Sequence, residues 1–256
     1  MQPHFTLEFG SMSHTGQVRS HNEDSIAVNS DLGLAILADG MGGYNAGEIA
    51  SAMATSTAAR VIEKQLLAED ATAITTPDQF IGQLLGQAAA AANTAIFEAA
   101  SKKAEFGGMG TTLVIMLFYE DAVAVAHIGD SRAYRLRNRT LTQITRDHSL
   151  LQEQLDAGLI NAEQAKFSQH KNLITRAVGV ENTLETDINV LAVVPDDLYL
   201  LCSDGLSDML TDGKIVDIVE AHIDNPTEAA RKLVERANEE GGRDNISVIL
   251  VRVRKS

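Results

Sequence analysis

Six aspartates stand beside small residues at the ends of apolar runs. They are Asp24 in Asn-Glu-Asp-Ser, Asp39 in Ala-Asp-Gly-Met-Gly-Gly, Asp130 in Gly-Asp-Ser-Arg, Asp204 and Asp208 in Ser-Asp-Gly-Leu-Ser-Asp, and Asp244 in Gly-Arg-Asp-Asn. "LGLAIL" leads into Asp39, "AVAVAHI" into Asp130 and "LYLLC" into Asp204, whereas Asp24 precedes "IAV" and Asp244 precedes "ISVILVRV". Each run reads as a β-strand. If these strands are neighbours, the carboxylates converge at one rim of a sheet system. Carboxylates gathered in a low dielectric repel one another unless they stay apart or divalent cations neutralise them. A donor set made only of oxygens favours hard ions such as Mg2+ or Mn2+. Singly, Asp-Gly and Gly-Asp are turn dipeptides; their recurrence at strand boundaries is what points to chemistry. A neighbour with little side chain also lets a metal, water and substrate approach closely.

The elements that must position these residues follow from periodicity and punctuation. Residues 4–38 read as strands with turns at His14–Gly16 and Ser30–Gly33. An Ala-rich helix is predicted over 46–68, with Ile49, Met53, Ala54, Val61 and Leu66 near helical spacing. Thr76–Pro77 is a start signal for a second helix, Asp78 to about Ala104, which Gly107–Gly110 ends. Strands are expected at 111–119, 121–128 and 132–137, the first two joined at Glu120–Asp121. Residues 148–178 change character: "SLLQEQLDAGLI" and "NAEQAKF" are polar and read as mostly helical. Strands return at 184–194 and 197–203, helices follow at 212–223 and, after Asn225–Pro226, at 226–239, and a strand at 245–254 closes the chain. Segregated strand and helix blocks favour an α+β class: two packed antiparallel sheets, each covered by a helix pair. No repeat or linker divides the 256 residues, so one domain over 1–256 is expected.

Composition narrows the function. The formal charge of −14 argues against nucleic acid, which needs a basic footprint, and so against a nuclease. No apolar run is long enough for a membrane span, and the N-terminus lacks a signal-peptide pattern, so the expected location is the cytoplasm. Cys202, the only cysteine, sits in "LYLLC" and reads as a buried core thiol. Ser131 has no histidine placed by sequence to activate it and reads as structural.

From "GQVRSHNEDS" through "LADGMGG", "GMGTT", "HIGDSRAY", "TRDHSL", "NLITRAVG" and "LLCSDGLSDML" to "GGRDNISVILV", the chain resembles the metal-dependent Ser/Thr protein phosphatases of the 2C (PPM) type in their compact bacterial form. The resemblance implies a β-sandwich flanked by helix pairs, with 148–178 as a flap. It implies two core Mn2+ or Mg2+ ions and a weaker third. Asp39 resembles the aspartate that bridges the two ions, with the Gly40 carbonyl completing one shell. Asp204 and Asp244 match ligands of the first ion, and Glu23 with Asp24 the acidic pair beside the second. Asp130 and Asp208, with Asp204, match the third. Arg19 stands where the family has its phosphate-binding arginine. The implied reaction is hydrolysis of phosphoserine and phosphothreonine on proteins by a metal-activated bridging water. The implied partners are phosphoproteins, among them a Ser/Thr kinase and its substrates; some bacterial relatives sit in type VI secretion clusters. A monomer is expected. A non-catalytic phosphoprotein binder on this fold would not need every aspartate. Met41 stands where many eukaryotic relatives have a histidine proposed to protonate the leaving group. His148 is a candidate for that role by residue type, alongside a structural hydrogen bond to a strand end, and His127 reads as core or as support to the site. Flap positions such as Gln169 and Lys171 are expected to touch phosphoprotein substrates and not small aryl phosphates.

Overall fold

The computed structural model describes residues 3–43, 46–67, 76–165 and 173–255. Two antiparallel sheets face each other. One has the order β1-β11-β10-β7-β8, from β1 (Phe5–His14), β7 (Arg132–Arg137), β8 (Thr140–Gln143), β10 (Leu198–Cys202) and β11 (Ile246–Lys255). The other has the order β2-β3-β5-β6-β9, from β2 (Asp24–Asn29), β3 (Leu34–Met41), β5 (Leu113–Tyr119), β6 (Ala122–Ile128) and β9 (Asp187–Ala192), with the short β4 (Gly110–Thr111) against β3. Helices α1 (Ala46–Leu67) and α2 (Pro77–Lys102) cover the second sheet. Helices α6 (Asp212–Ala221) and α7 (Pro226–Glu239) cover the first, and the short α5 (Asp204–Ser207) follows β10. The α+β helix–sheet–sheet–helix architecture expected from the sequence is the one observed.

Three layers of core explain the unbroken apolar runs. In β3, Leu34, Ile36 and Ala38 face the helices while Ala35 and Leu37 face the other sheet. In β11, Ile246, Val248 and Leu250 face helices and Ile249, Val251 and Val253 face the sandwich. A strand buried on both faces has no polar side to alternate with. Between the sheets, Phe118 meets Tyr199 edge to face, with ring centroids 5.2 Å apart. Cys202 lies in the core between β10 and its helices, and burial pushes its thiol up to about 12, so the structural reading holds.

Helix starts behave as their sequences suggest. Thr76 caps α2, accepting from Gln79 N, with Pro77 in the first turn. Asn225 caps α7 in the same way through Glu228 N, before Pro226. Four expectations need correction. The buried stripe of α1 is Ala46, Ala50, Ala54, Ala58 and Ile62, while Ile49, Met53, Val61 and Leu66 are only partly buried. The helix lies so close to β3 and α2 that methyl groups fill the gap. Strand β8 went unread because "TLTQ" is polar and mostly exposed. The strand expected over 184–194 is confined to β9, Asp187–Ala192. In the flap region only α3 (Leu150–Asp156) and α4 (Ala162–Ala165) are helical among the described residues. The returning limb is extended: Ile174 bridges to Ser149 and Val178 to Thr111. Gln169 and Lys171 lie outside the described residues. None of the described helices is long and apolar enough to cross a membrane.

The alanine stripe makes a specific demand. Ala54→Leu should destabilise the protein by about 1–3 kcal/mol by overpacking, while Met53→Leu should cost less than about 1.5 kcal/mol. Urea unfolding of both variants measures the difference.

Candidate metal centre

Strand polarity brings the aspartates together. Asp24 opens β2 and Asp39 lies near the end of β3, and the two are direct partners across the antiparallel ladder. Asp130 follows β6 after Gly129, Asp204 opens α5 just beyond β10, and Asp244 precedes β11. In an antiparallel sheet the end of one strand lies beside the start of the next. All these termini therefore share one end of the sandwich. Two hydrogen bonds lock the sheets together there: Ser203 Oγ donates to Asp24 Oδ2 at 2.9 Å, and Glu23 N donates to Asn245 Oδ1 at 2.8 Å. Asn245 Nδ2 in turn donates to the carbonyls of Thr15 and His21, at 2.9 and 2.8 Å.

Asp39 is held by its backbone. Its carbonyl accepts from Thr112 N at 2.9 Å and from Thr111 Oγ1 at 2.8 Å, and its N–H donates to Thr112 Oγ1 at 2.9 Å. Thr112 Oγ1 also bonds Ser131 Oγ at 2.8 Å, which gives Ser131 the structural role expected of it. The glycines after the aspartates have a cause beyond room for a ligand. A Cβ on Gly40 would lie 2.1 Å from the Gly47 carbonyl oxygen, and one on Gly205 would lie 2.0 Å from that of Asn245. Backbone packs against backbone at both points. Thr111, Thr112, Ser203 and Asn245 lie inside the motifs already noted, yet sequence reasoning gave them no role. Their signal is a small polar residue flanking an apolar run.

The electrostatics follow from this crowding. Burial, and then the charges of Asp24, Asp204, Asp130 and Asp244, hold the Asp39 carboxyl well above the usual range. Asp204 is raised likewise by burial, then by Asp130, Asp244, Asp208 and Asp24. Burial lifts Asp24 to about 6, against the hydrogen bonds of Ser247 and Ser203, and lifts Asp130 to about 6, aided by Asp147. Glu23 is raised chiefly by burial; its side chain lies against Gly47 at the start of α1. Asp208 is exposed at the end of α5, within electrostatic reach of Asp130 and Asp204. Arg19 Nη2 donates to Asp244 Oδ2 at 2.7 Å, and the guanidinium side chain remains 53% exposed. All nine sequence-predicted residues, Gly40 included, thus gather at or beside one end of the sandwich. Asp24 Oδ1 and Asp204 Oδ1 are buried without a hydrogen-bond partner. Orphaned carboxylate oxygens amid like charges are donors that fit a divalent cation.

A second cluster has the composition of a metal site, but the ring nitrogens of His148 are engaged within the fold. His127, His148 and Asp187 bring ligand atoms within 4.8 Å of one another, with the two rings stacked at 4.7 Å. Asp187 is the ladder partner of His127. His148 Nδ1 accepts from Gly129 N at 3.2 Å, so the ring proton sits on Nε2, which faces Asp187 Oδ2 at 3.4 Å. A metal on Nε2 would force that proton onto Nδ1, against the Gly129 N–H. His148 N also donates to the Gly129 carbonyl at 2.9 Å. His148 therefore braces the end of β6 just before Asp130, the structural alternative weighed for it from the sequence. His127 is buried, with Nε2 on the Arg146 carbonyl at 2.8 Å.

These shifts carry a sign. A carboxyl whose pKa is raised by folding binds protons more tightly in the folded state, so stability falls as pH rises through the folded value. The cost is absent below the unfolded value of 3.8 and complete above the folded one. Asp39→Asn should therefore raise the melting temperature of metal-free protein, and by more at about pH 8 than at about pH 5.5. His127 and His148, whose pKa values burial lowers, act oppositely on acidification but equally in both proteins. Calorimetry in chelator decides it; an equal gain at both pH values would contradict the assigned crowding.

Residues 13–247 match the protein phosphatase 2C family. A serine/threonine phosphatase of Listeria welshimeri is 39% identical over 242 residues, covering 92% of each chain. The crystal structure of the Mycobacterium tuberculosis serine/threonine phosphatase PstP superposes with a TM-score of 0.86 at 36% identity, over 97% of this chain and 99% of that one. The PstP catalytic domain in complex with two manganese ions gives a TM-score of 0.82 at 35% identity, over 98% and 99%. Architecture, a buried oxygen-donor cluster suited to Mn2+ or Mg2+, and similarity over nearly the whole length agree: the chain belongs to the protein phosphatase 2C family of metal-dependent phosphoprotein phosphatases.

Proposed function

We propose that the carboxylate end of the sandwich hydrolyses phosphoserine and phosphothreonine on proteins, in opposition to a Ser/Thr kinase, in a monomer working in the cytoplasm. The convergence of Asp24, Asp39, Asp130, Asp204 and Asp244 beside an exposed guanidinium carries the reading. Asp39, with Asp204 and Asp244, would hold one divalent ion, and the Gly40 carbonyl would complete the shell of one of the two ions that Asp39 serves. Asp39, Glu23 and Asp24 would hold the second, and Asp130, Asp204 and Asp208 a weaker third. Such ions supply Lewis acidity toward phosphate oxygens and toward water, so no serine or cysteine nucleophile is required.

The chain's own residues do the rest. Asp244 fixes Arg19 through one donor, and the planar fork suits two phosphate oxygens. The threonines that clamp Asp39, and the Ser203 and Asn245 bonds across the sheets, hold the donors at fixed separations before any ligand arrives. Such prior ordering lets charge stabilisation act without reorganisation. His148 is committed on both ring nitrogens, and so is not the source of the proton that the leaving hydroxyl needs.

Release of phosphate from a phosphothreonine peptide tests the proposal. It should require Mn2+ or Mg2+, stop in EDTA, and be lost in Asp39→Ala and Asp204→Ala with the fold intact. Undiminished turnover in chelator, or in either variant, would sink it. Arg19→Ala should raise KM for aryl phosphates and phosphopeptides alike by roughly tenfold to a hundredfold, the value of one charged hydrogen bond of about 1.5–3 kcal/mol. Steady-state kinetics on both substrate classes measure this; a loss confined to peptides would place Arg19 on the peptide and not on the phosphate.

A further inference from the structure

A cleft of about 490 Å3 opens beside the carboxylate cluster, lined by Met41, residues 174–177, Val180, Glu181 and residues 183–185. Its size lies in the range of sites that hold a small ligand or a side chain, about 300–1,000 Å3. Met41 stands two residues beyond Asp39 on β3, about 7 Å along the strand. A side chain in the cleft would thus belong to a residue two or three positions from one held at Asp39.

The lining has two parts. Met41, Ile174, Ala177, Val180 and Leu184 are apolar, and Val180 is 48% exposed. Around them stand Glu181 and Glu185, both exposed, and, among the described residues, one cation, Arg176. That cation is already engaged: its Nη1 lies 3.2 Å from Asp187 Oδ1 and 4.0 Å from Glu185 Oε2. With Arg176 offset by Asp187, the surplus charge among the described lining residues is negative. Apolar walls rimmed by carboxylates complement a long side chain with a methylene stem and a cationic head.

We infer that this cleft is a specificity subsite for a lysine or arginine within three residues of the phosphorylated residue, with Glu181 and Glu185 as the selecting charges. The inference rests on the phosphatase reading and adds a substrate class to it. The phosphate would go to the carboxylate end and Arg19, and the basic side chain to the cleft, so charges of opposite sign on one peptide meet opposite charges on one surface.

Phosphothreonine peptides carrying arginine, alanine or glutamate at each of three positions on either side of the phosphoresidue test this against an aryl phosphate. In the wild-type enzyme, arginine should exceed glutamate in kcat/KM at one or more positions by about two- to fivefold per charge at low salt, the scale of a partly exposed ion pair. Glu181→Lys/Glu185→Lys should reverse that order through KM while leaving aryl phosphate turnover within about twofold. A flat wild-type profile overturns the inference, as does an arginine preference that survives in the double variant. Equal losses on aryl phosphate and peptides would overturn it too, because the two glutamates would then shape the catalytic centre. Failure of the wild-type enzyme on every substrate would remove the phosphatase reading itself.

Discussion

Mutual repulsion among buried carboxylates is the constraint from which the rest of the structure follows. Asp24, Asp39, Asp130 and Asp204 are all pushed toward the protonated form, and burial leads the causes in each case. Left to themselves, such groups would swing apart toward water. The contacts around them prevent this without neutralising them. Thr111 and Thr112 grip the backbone of Asp39, Ser203 bridges to Asp24, and Asn245 ties the chain before Asp24 to the start of β11. Among the described residues Arg19 pairs directly with Asp244, while Arg132 acts on Asp130 from its own pair with Asp147. The scaffold thus stores an electrostatic deficit that a divalent cation relieves, and affinity for the ion is built from the strain of its absence.

Holding such a deficit requires a stiff frame, and the three core layers provide one. The central strands are buried on both faces, so their ends cannot rotate a side chain outward without breaking packing on one face. The alanine stripe of α1 brings that helix down until Gly47 and Gly40 touch backbone to backbone. The strand end bearing Asp39 is then fixed from three sides: by β2, by β4 and by the start of α1.

The strands and helices that make this frame were legible because each obeys a local rule. The apolar runs of β3, β5, β6, β10 and β11 are continuous since both faces are buried, and Thr76–Pro77 and Asn225–Pro226 are start signals that act within one turn. The aspartates were legible as strand-end residues of one type. What escaped is what depends on distant partners. The alanines of α1 look no more buried than Ile49 or Met53 until the closeness of the sheet is known. The selection of Gly40 and Gly205 for backbone packing requires the carbonyls of Gly47 and Asn245, which only the folded chain brings against them. The His148 brace depends on Gly129 and Asp187, and residue type alone left it a candidate acid. β8 has no apolar face to announce it.

The site is shared between sheets, and that gives the sandwich layer an unexpected authority. Asp24, Asp39 and Asp130 ride on one sheet, Asp204 and Asp244 on the other, and the bonds of Ser203 and Asn245 span the seam. A shear of one sheet over the other by a fraction of an ångström would leave every strand paired and every helix seated, yet would pull the donor set apart. Side chains such as Phe118 and Tyr199, which interlock between the sheets, therefore act as alignment pins. Ion affinity becomes a gauge of inter-sheet register, one that drifts while the protein is still, by any measure of secondary structure, folded.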